Sequence, residues 1–237
     1  MTKTLAAPTG RRGQLSRTRI LEAALKLVDQ DGLEALTMRR LADRLKVDPM
    51  SLYNHLDSKE ALLDGIAEAL WNEVRLPAGH VGWKEALRML ASSLRGLAKV
   101  HPHAYALLFG RGILPAPALH AFDAAMYTLD QAGLNRDKAA EMIRTLMAYA
   151  VGYGMVELSA PVVGGTGLEQ IVSLTRALPR DAPIHLVEVA RLMCDCDMDY
   201  QFDLGLDLIL AGLEARLNHG GERRPRAGPG GTHDAHN

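Results

Sequence analysis

The chain has 237 residues, of which 48% are hydrophobic and 23% are charged, and its 27 basic and 28 acidic residues give a formal net charge of −1. This composition is typical of a folded globular protein and excludes disorder as the global state. The longest stretches without a charged residue, such as residues 145–156, are shorter than the roughly 18 apolar residues of a membrane-spanning helix. Residues 1–17 lack the apolar core of a signal peptide, so we expect a cytoplasmic protein.

The charges are distributed unevenly along the chain. Residues 1–60 contain 11 basic and 8 acidic residues, a net charge of +3, whereas residues 61–218 carry −5 and residues 219–237 carry +1. Residues 3–19 hold five basic residues and no acidic one. A basic N-terminal part on an acidic body is the pattern expected if one end of the molecule contacts phosphate.

Ala and Leu recur at helical spacing almost throughout, and alternating β-branched runs are absent, which predicts an all-α fold. Ser16 is the expected N-cap of a first helix that stops at Asp31-Gly32. Thr37 is the expected N-cap of a second helix, which ends near Lys46. Asp48-Pro49 then starts a short third helix, because Asp accepts from free amides and Pro at the first helical position gives up no needed donor.

These signals divide the chain into an N-terminal unit and a larger body. Residues 16–60 form the three-helix unit, a helix over 58–76 capped by Ser58 links it to the body at 77–218, and a flexible basic arm (1–15) and a disordered Gly- and Pro-rich tail (219–237) flank them. Helical stretches of the body are expected at Trp83 to Val100, Ala104 to Phe109, Ala116 to Ala132, Arg136 to Ser159, Leu168 to Ala177, Ile184 to Met193 and Asp199 to Asn218.

The segment from Thr37 to Leu56 has two short helices joined by the tight turn Lys46-Val47-Asp48, which is the pattern of a helix-turn-helix. A second helix of about seven residues is about 10 Å long, and this length suits insertion into a major groove about 12 Å wide. Apolar positions account for the inward face. The residues expected to point outward from the second helix are Pro49, Met50, Ser51, Tyr53 and Asn54.

The run LTMRRLADRLKVDPMSLYNHLDSKEALLDGIAE, residues 36–68, resembles the DNA-binding domain of TetR-family transcriptional regulators. The hallmarks are a valine turn, then Leu-Tyr-x-His, then a Lys that opens the next helix. In this sequence they are Val47, Leu52, Tyr53, His55 and Lys59. Lys46 departs from the pattern, because the family usually has glycine there. We expect either positive-φ strain of order 1 kcal/mol at Lys46 or a slightly different turn geometry.

The resemblance implies roles for individual side chains. Tyr53 and Lys59 would clamp phosphates, and Arg39 would reach a phosphate or a guanine edge. His55 either contacts DNA or packs against the turn, and the basic arm either contacts DNA or is merely solvated. The expected base-contacting residues are Met50, Ser51 and Asn54. The complete set of expected DNA-binding residues is Arg39, Pro49, Met50, Ser51, Tyr53, Asn54, His55 and Lys59.

The last predicted helix has more apolar surface than one domain core can use. One stripe contains Phe202, Leu206, Ile209, Leu210, Leu213 and Leu217, and the other contains Leu204, Leu208, Ala211 and Ala215. The helix from Arg136 is similar and adds small residues that permit close helix approach, Ala148, Gly152 and Gly154. The surplus predicts a homodimer through a four-helix bundle made by the helices near 136–159 and 199–218.

The body, above all YQFDLGLDLILAGLEARL at residues 200–217, resembles the C-terminal domain of the tetracycline-repressor type. The resemblance implies a small-molecule pocket whose occupancy moves the DNA-binding heads out of register. Ordinary core packing is the favoured alternative for each candidate lining residue. The candidates are Leu90, Leu94, Leu108, Phe109, Phe122, Met126, Met142, Leu146, Tyr149 and Tyr153. Because Leu90, Leu94 and Leu108 occupy the positions of the tetracycline and magnesium ligands, we expect a hydrophobic effector instead of tetracycline.

The sequence contains few other residues in a pattern that indicates metal binding or catalysis. Cys194 and Cys196 are too close for an unstrained disulfide, and with Asp197 and Asp199 they indicate a helix start more than a metal site. We therefore expect no metal, no cofactor and no enzymatic activity. The hypothesis is a ligand-responsive repressor that binds a palindromic DNA operator as a homodimer. The alternative is an α-helical small-molecule-binding or enzymatic bundle whose helix-turn-helix is only a packing corner.

Overall fold

A computed structural model of the chain describes residues 15–76, 81–111, 114–159 and 197–218, together with the single positions 176, 185 and 188. These parts are helical and contain no strand, which confirms the all-α prediction for them. Most of the basic arm, the tail, and most of the helices expected at 168–177 and 184–193 lie outside the described residues. Among the helices that are described, none is long and apolar enough to cross a membrane.

Eight helices and two single-turn 3₁₀ helices make up the described part. The α-helices are α1 Arg17–Asp31, α2 Met38–Leu45, α3 Pro49–Tyr53, α4 Lys59–Asn72, α5 Trp83–Val100, α6 Ala116–Gln131, α7 Arg136–Ser159 and α8 Met198–Asn218. The 3₁₀ helices are Leu33–Ala35 and Tyr105–Leu108. Helices α1 to α4 form the N-terminal unit, which we call the head, and α5 to α8 form the body.

Side-chain caps explain where the helices of the head begin. Each cap accepts a hydrogen bond from a backbone amide two or three residues further on, which satisfies one of the free donors of the first turn. The capping residues are Ser16, Thr37, Asp48 and Ser58, as the sequence predicts. The Asp197 carboxylate caps α8 in the same way by accepting from the amides of Asp199 and Tyr200, which confirms a helix start at this acidic stretch.

Three predicted elements differ from the structure. Helix α3 has five residues instead of about seven. Helix α4 ends at Asn72 and does not continue to residue 76, because the Arg75 amide donates to Ser93 Oγ at 2.7 Å and because the residue before Pro77 disfavours helical geometry. The stretch expected to be helical at 104–109 is only the 3₁₀ turn Tyr105–Leu108.

Helix α4 joins the head to the body. Its residues Leu62, Ile66 and Leu70 are fully buried, in a core that is continuous from α1 to α8. Trp71 at its end donates from Nε1 to the carbonyl of Leu108, 3.2 Å away in the body. The head is therefore packed directly on the body, with the end of α4 against the 3₁₀ turn.

Candidate nucleic-acid interface

The turn between α2 and α3 keeps the geometry that glycine usually supplies. Lys46 caps α2 with φ 57° and ψ 46°, and among the described residues it is the one non-glycine residue with positive φ. The amide of Val47 donates to the Ala42 carbonyl at 3.0 Å and holds the turn closed. Of the two possibilities that the sequence left open at Lys46, the structure has the positive-φ conformation and its strain.

Buried leucines hold the two helices of the motif together and leave one face of α3 in solvent. Leu41, Leu52 and Leu56 are at most 4% exposed, whereas Met50 is 70% and Tyr53 is 44% exposed. The residues of the predicted outward face that are exposed are Met50, Tyr53 and Asn54, and His55 in the following turn is exposed as well. Pro49 and Ser51 are half-buried, so they point outward less than predicted.

The arginines of α2 divide into two kinds. Arg40 donates to Asp31 at 2.8 Å and Arg44 donates to the Gln30 side chain at 2.7 Å, so both are held against α1. Arg39 is exposed, and so is Lys59, the first residue of α4, and neither forms an ion pair with a described carboxylate. Two exposed cations, one on the helix before α3 and one on the helix after it, are thus left available for a phosphate.

The candidate pocket residues are buried to different degrees. Those that lie in the core are Leu90, Leu94, Leu108, Met142 and Leu146. Those that are half-buried are Phe122, Met126, Tyr149 and Tyr153, and Phe109 is 37% exposed.

The aromatic candidates belong to two separate groups. Phe109 and Phe122 pack on Trp71, with ring centroids 5.6 and 5.9 Å from the indole. Tyr149 and Tyr153 instead pack on Phe202 of α8, at 5.4 and 5.2 Å. The first group adjoins the end of α4, so it is the one in direct contact with the head.

A buried arginine that the sequence analysis did not single out ties α5 to α7 and α8. Arg95 is 7% exposed, contacts Glu157 through Nε at 2.7 Å and through a second nitrogen, and reaches Asp199 at 2.8 Å. Its guanidinium lies 4.6 Å from the centroid of the Phe202 ring. Burial opposes the charge, but the carboxylates of Glu157 and Asp199 outweigh it and raise the pKa of Arg95.

Lys99 completes this ion cluster at the surface. Its Nζ lies 2.6 Å from Asp199 Oδ1, and this contact, with a further contribution from Arg95, lowers the pKa of the Asp199 carboxyl group. The partners are more than 60 residues apart along the chain for Arg95 and Glu157 and 100 apart for Lys99 and Asp199. The sequence signal for this cluster is limited to α5, where Arg95 and Lys99 are one helical turn apart and so share a face.

The second apolar stripe of α8 is exposed. Leu204 is 39% and Leu208 is 67% exposed, and on α7 Met155 and Val156 are 42% and 59% exposed. The described part of the chain therefore leaves apolar side chains of both helices uncovered, as the homodimer prediction requires.

Gly154 corrects part of the sequence interpretation. It is buried, and a Cβ at its position would lie 2.6 Å from the Tyr105 hydroxyl. Its small size therefore serves packing inside the chain, whereas Ala148 and Gly152 are exposed.

An exposed helix-turn-helix with free cations, carried on a helical body, defines a DNA-binding regulator of the helix-turn-helix class. A family model described as "Bacterial regulatory proteins, tetR family" matches residues 20–66, and one described as "Tetracyclin repressor-like, C-terminal domain" matches residues 76–217. The chain belongs to the TetR family of bacterial transcriptional regulators.

Relatives of known name agree with this assignment. An HTH-type transcriptional regulator of Saccharopolyspora erythraea is 33% identical over 58% of this chain and 59% of its own length. The HTH-type transcriptional repressor DrrR1 of Streptomyces coeruleorubidus is 29% identical over 93% of this chain and 84% of its own length. The solved structure of the TetR family protein ActR of Streptomyces coelicolor in complex with actinorhodin has a TM-score of 0.71 at 30% identity, covering 85% of this chain and 96% of that chain.

These findings settle the class of activity. TetR-family proteins bind operator DNA as homodimers and bind small-molecule ligands, and this chain is a ligand-responsive DNA-binding repressor of that kind. It is a regulator and not an enzyme. The alternative of an enzymatic or purely ligand-binding bundle is not favoured.

Proposed function

We propose that the homodimer represses transcription by placing the two α3 helices in successive major grooves of a palindromic operator. The observation that carries this proposal is the exposed face of α3 with Met50, Tyr53 and Asn54, together with the exposed cations Arg39 on α2 and Lys59 at the start of α4. The two recognition helices of such a dimer lie roughly 34 to 36 Å apart, one turn of the duplex.

Phosphate contacts and base contacts fall to different side chains in this proposal. Lys59 and Tyr53 hold phosphates, and the amides at the start of α4 favour an anion near Lys59. Met50 and Asn54 reach base edges, through the methyl group of thymine and through hydrogen bonds. The half-buried Pro49 and Ser51 flank them, and His55 and Arg39 complete the surface.

The effector is a small hydrophobic molecule that binds the body. Support comes from Leu90, Leu94 and Leu108, which are buried and replace the tetracycline and magnesium ligands expected from the resemblance. Further support comes from the relative ActR, whose structure was solved with actinorhodin. The group formed by Trp71, Phe109 and Phe122 adjoins α4, so a ligand that displaces it moves the head. Reversing a 1:99 equilibrium between states requires about 5.5 kcal/mol of differential affinity.

The division of the chain follows the same proposal. The DNA-binding domain at 16–60, which is the first part of the head, reads DNA, α4 transmits the state of the body, and the body at 77–218 dimerises and binds effector. A DNA-binding regulator of this kind acts in the cytoplasm, where the operator is.

The test starts with duplexes selected from a random pool by the full-length protein, with and without candidate hydrophobic ligands. On the selected operator, Lys59→Ala is expected to weaken binding to all sequences alike and to reduce the salt slope by about one. Asn54→Ala is expected to change preference at particular base pairs instead, because a base contact discriminates by about 1–3 kcal/mol.

Lys84→Ala is the matched control, because Lys84 is an exposed lysine of the body that pairs with Glu214. It is expected to leave the salt slope unchanged. If the salt dependence of DNA binding is unchanged in Lys59→Ala, Lys59 does not contact phosphate. If Asn54→Ala weakens binding equally across a library of operator sequences, Asn54 does not contact bases. Absence of any salt-dependent binding to duplex DNA would overturn the whole proposal.

A further inference from the structure

One histidine joins the head and the body at a single point. His101 directly follows α5 and is 7% exposed. Its Nδ1 lies 2.8 Å from Oδ2 of Asp29 on α1, and its Nε2 lies 3.0 Å from Oε2 of Glu73, the residue after α4. The ring therefore connects the last turn of α1, the end of α4 and the end of α5.

Both hydrogen bonds exist together only if the ring is charged. An ionised carboxylate can only accept, and a neutral imidazole has a single N–H to donate. In the imidazolium form both nitrogens donate, one to Asp29 and one to Glu73. The second oxygen of Asp29, Oδ1, is buried with no hydrogen-bond partner among the described residues, so the hydrogen bond to His101 is made by the other oxygen, Oδ2.

The electrostatics of the site agree with a charged ring. Burial alone would lower the pKa of His101, but the hydrogen bonds and charges of Glu73 and Asp29 outweigh it and raise the pKa above its ordinary value. These two carboxylates, from the elements packed against the ring, are the charged groups that face it. On its own segment, Lys99 is engaged with Asp199 and His103 is exposed.

The bridge acts where the other contacts between head and body do not. Trp71 holds α4 to Leu108, and Arg111 pairs with Asp64 of α4 at 2.6 Å. Neither contact involves α1, which packs on α4 through the shared core and through Arg17 and Glu68 at 3.1 Å. The hydrogen bond between His101 and Asp29 reaches α1 directly from the end of α5.

We propose that His101 is a positioning residue for operator recognition, which fixes the tilt of the head on the body and thereby the separation of the two recognition helices in the dimer. This inference rests on the proposed function. Without the bridge the heads still bind DNA, but the dimer no longer discriminates strongly between half-sites one turn apart and half-sites slightly closer or further apart.

The direction of the pH dependence follows from the raised pKa of His101. A bridge that needs the protonated ring is fully formed below the ordinary histidine value of about 6.5, and it is lost as the pH rises through the raised pKa of the folded state. Discrimination between spacings is therefore expected to be strong near pH 6 and to weaken on the alkaline side.

The experiment uses the full-length protein, its selected operator, and versions of that operator with a base pair inserted or deleted between the half-sites. Fluorescence anisotropy gives the ratio of Kd on altered to Kd on selected spacing across the pH range. For the natural chain the ratio is expected to fall several-fold as the pH rises. For His101→Asn it is expected to be low and independent of pH. His103→Gln, an exposed neighbour, is the matched control and keeps the natural profile.

If His101→Asn does not fold, Glu73→Gln still tests the proposal, because the Glu73 side chain is 46% exposed and its replacement should not disturb folding. Removing this carboxylate lowers the pKa of His101, so the transition in the Kd ratio is expected to move to lower pH, together with the histidine signal in an NMR titration. The proposal is overturned if Glu73→Gln and His101→Asn both keep the natural ratio and profile. Failure to bind duplex DNA at any spacing would instead overturn the proposed function.

Discussion

At the scale of single residues, Lys46 shows how a motif keeps its geometry when its usual residue is replaced. The turn needs a left-handed backbone, and Lys46 adopts it at φ 57° although it carries a Cβ. A left-handed conformation costs an L-residue roughly 1–2 kcal/mol. The turn is imposed on Lys46 by the packing of Leu41 and Leu52 on either side of it and by the closing bond from Val47.

Lys46→Gly is expected to raise the free energy of unfolding by about 1 kcal/mol, because glycine removes the Cβ clash at positive φ. Lys46→Ala is the control, since it removes the same charge but keeps the Cβ, and it is expected to change stability little. Guanidinium unfolding at one fixed protein concentration measures both, because dimerisation contributes to apparent stability. Equal midpoints for the two variants would show that the turn is not strained.

At the scale of elements, the body is held together by charge as well as by apolar packing. Arg95 reaches from α5 to Glu157 on α7 and Asp199 on α8, so one side chain crosslinks three helices. A buried pair of this kind adds little net stability compared with apolar packing, but loss of one partner leaves the other charge buried and unpaired. Glu157, at 13% side-chain exposure, is the group that would be left, with Lys99 Nζ at 4.0 Å as its remaining cation.

Arg95→Met is therefore expected to lower the free energy of unfolding by about 3 to 5 kcal/mol. The comparison is Lys84→Ala, which removes the exposed pair with Glu214 and is expected to cost less than about 1 kcal/mol. Chemical denaturation with circular dichroism gives both values. A loss for Arg95→Met as small as that for Lys84→Ala would mean that Lys99 alone is enough to compensate the charge of Glu157.

At the scale of the whole molecule, the two ends of the chain present different surfaces. The head exposes cations and the outward face of α3, while α7 and α8 expose apolar side chains such as Leu208 and Val156. The net charge of −1 averages over these two surfaces and hides them. A dimer with two-fold symmetry matches the symmetry of a palindromic operator, with one head for each half-site.

Leu208→Glu tests this arrangement, because it places an unpaired charge in the expected α7 and α8 interface. The dimer is expected to weaken by at least about 100-fold, since burying such a charge costs several kcal/mol and each tenfold step is about 1.4 kcal/mol. Sedimentation measures the monomer fraction. Leu119→Glu is the control, because Leu119 is similarly exposed, at 54%, but lies on α6. A dimer that survives Leu208→Glu and dissociates with Leu119→Glu would place the interface elsewhere.

Local signals in the sequence were sufficient to predict much of the fold and to identify the helix-turn-helix motif. The caps Ser16, Thr37, Asp48 and Ser58 act on amides within three residues, so a single sequence reveals them. The outward positions of α3 followed from the spacing of its apolar neighbours. The end of α4 was missed, because Ser93, which takes the Arg75 amide out of the helix, lies 18 residues further on.

The sequence by itself therefore determined the all-α class, the helix starts, the helix-turn-helix and the excess apolar faces of α7 and α8, because each depends on residues within one or two helical turns. Only the tertiary structure decided that Arg95 meets Glu157, that Gly154 makes room for Tyr105, and that His101 stands between Asp29 and Glu73. Those partners are 28 to 72 residues apart for His101 and 62 for Arg95. Helical periodicity specifies which face a residue occupies, but the packing of distant helices specifies what that face meets.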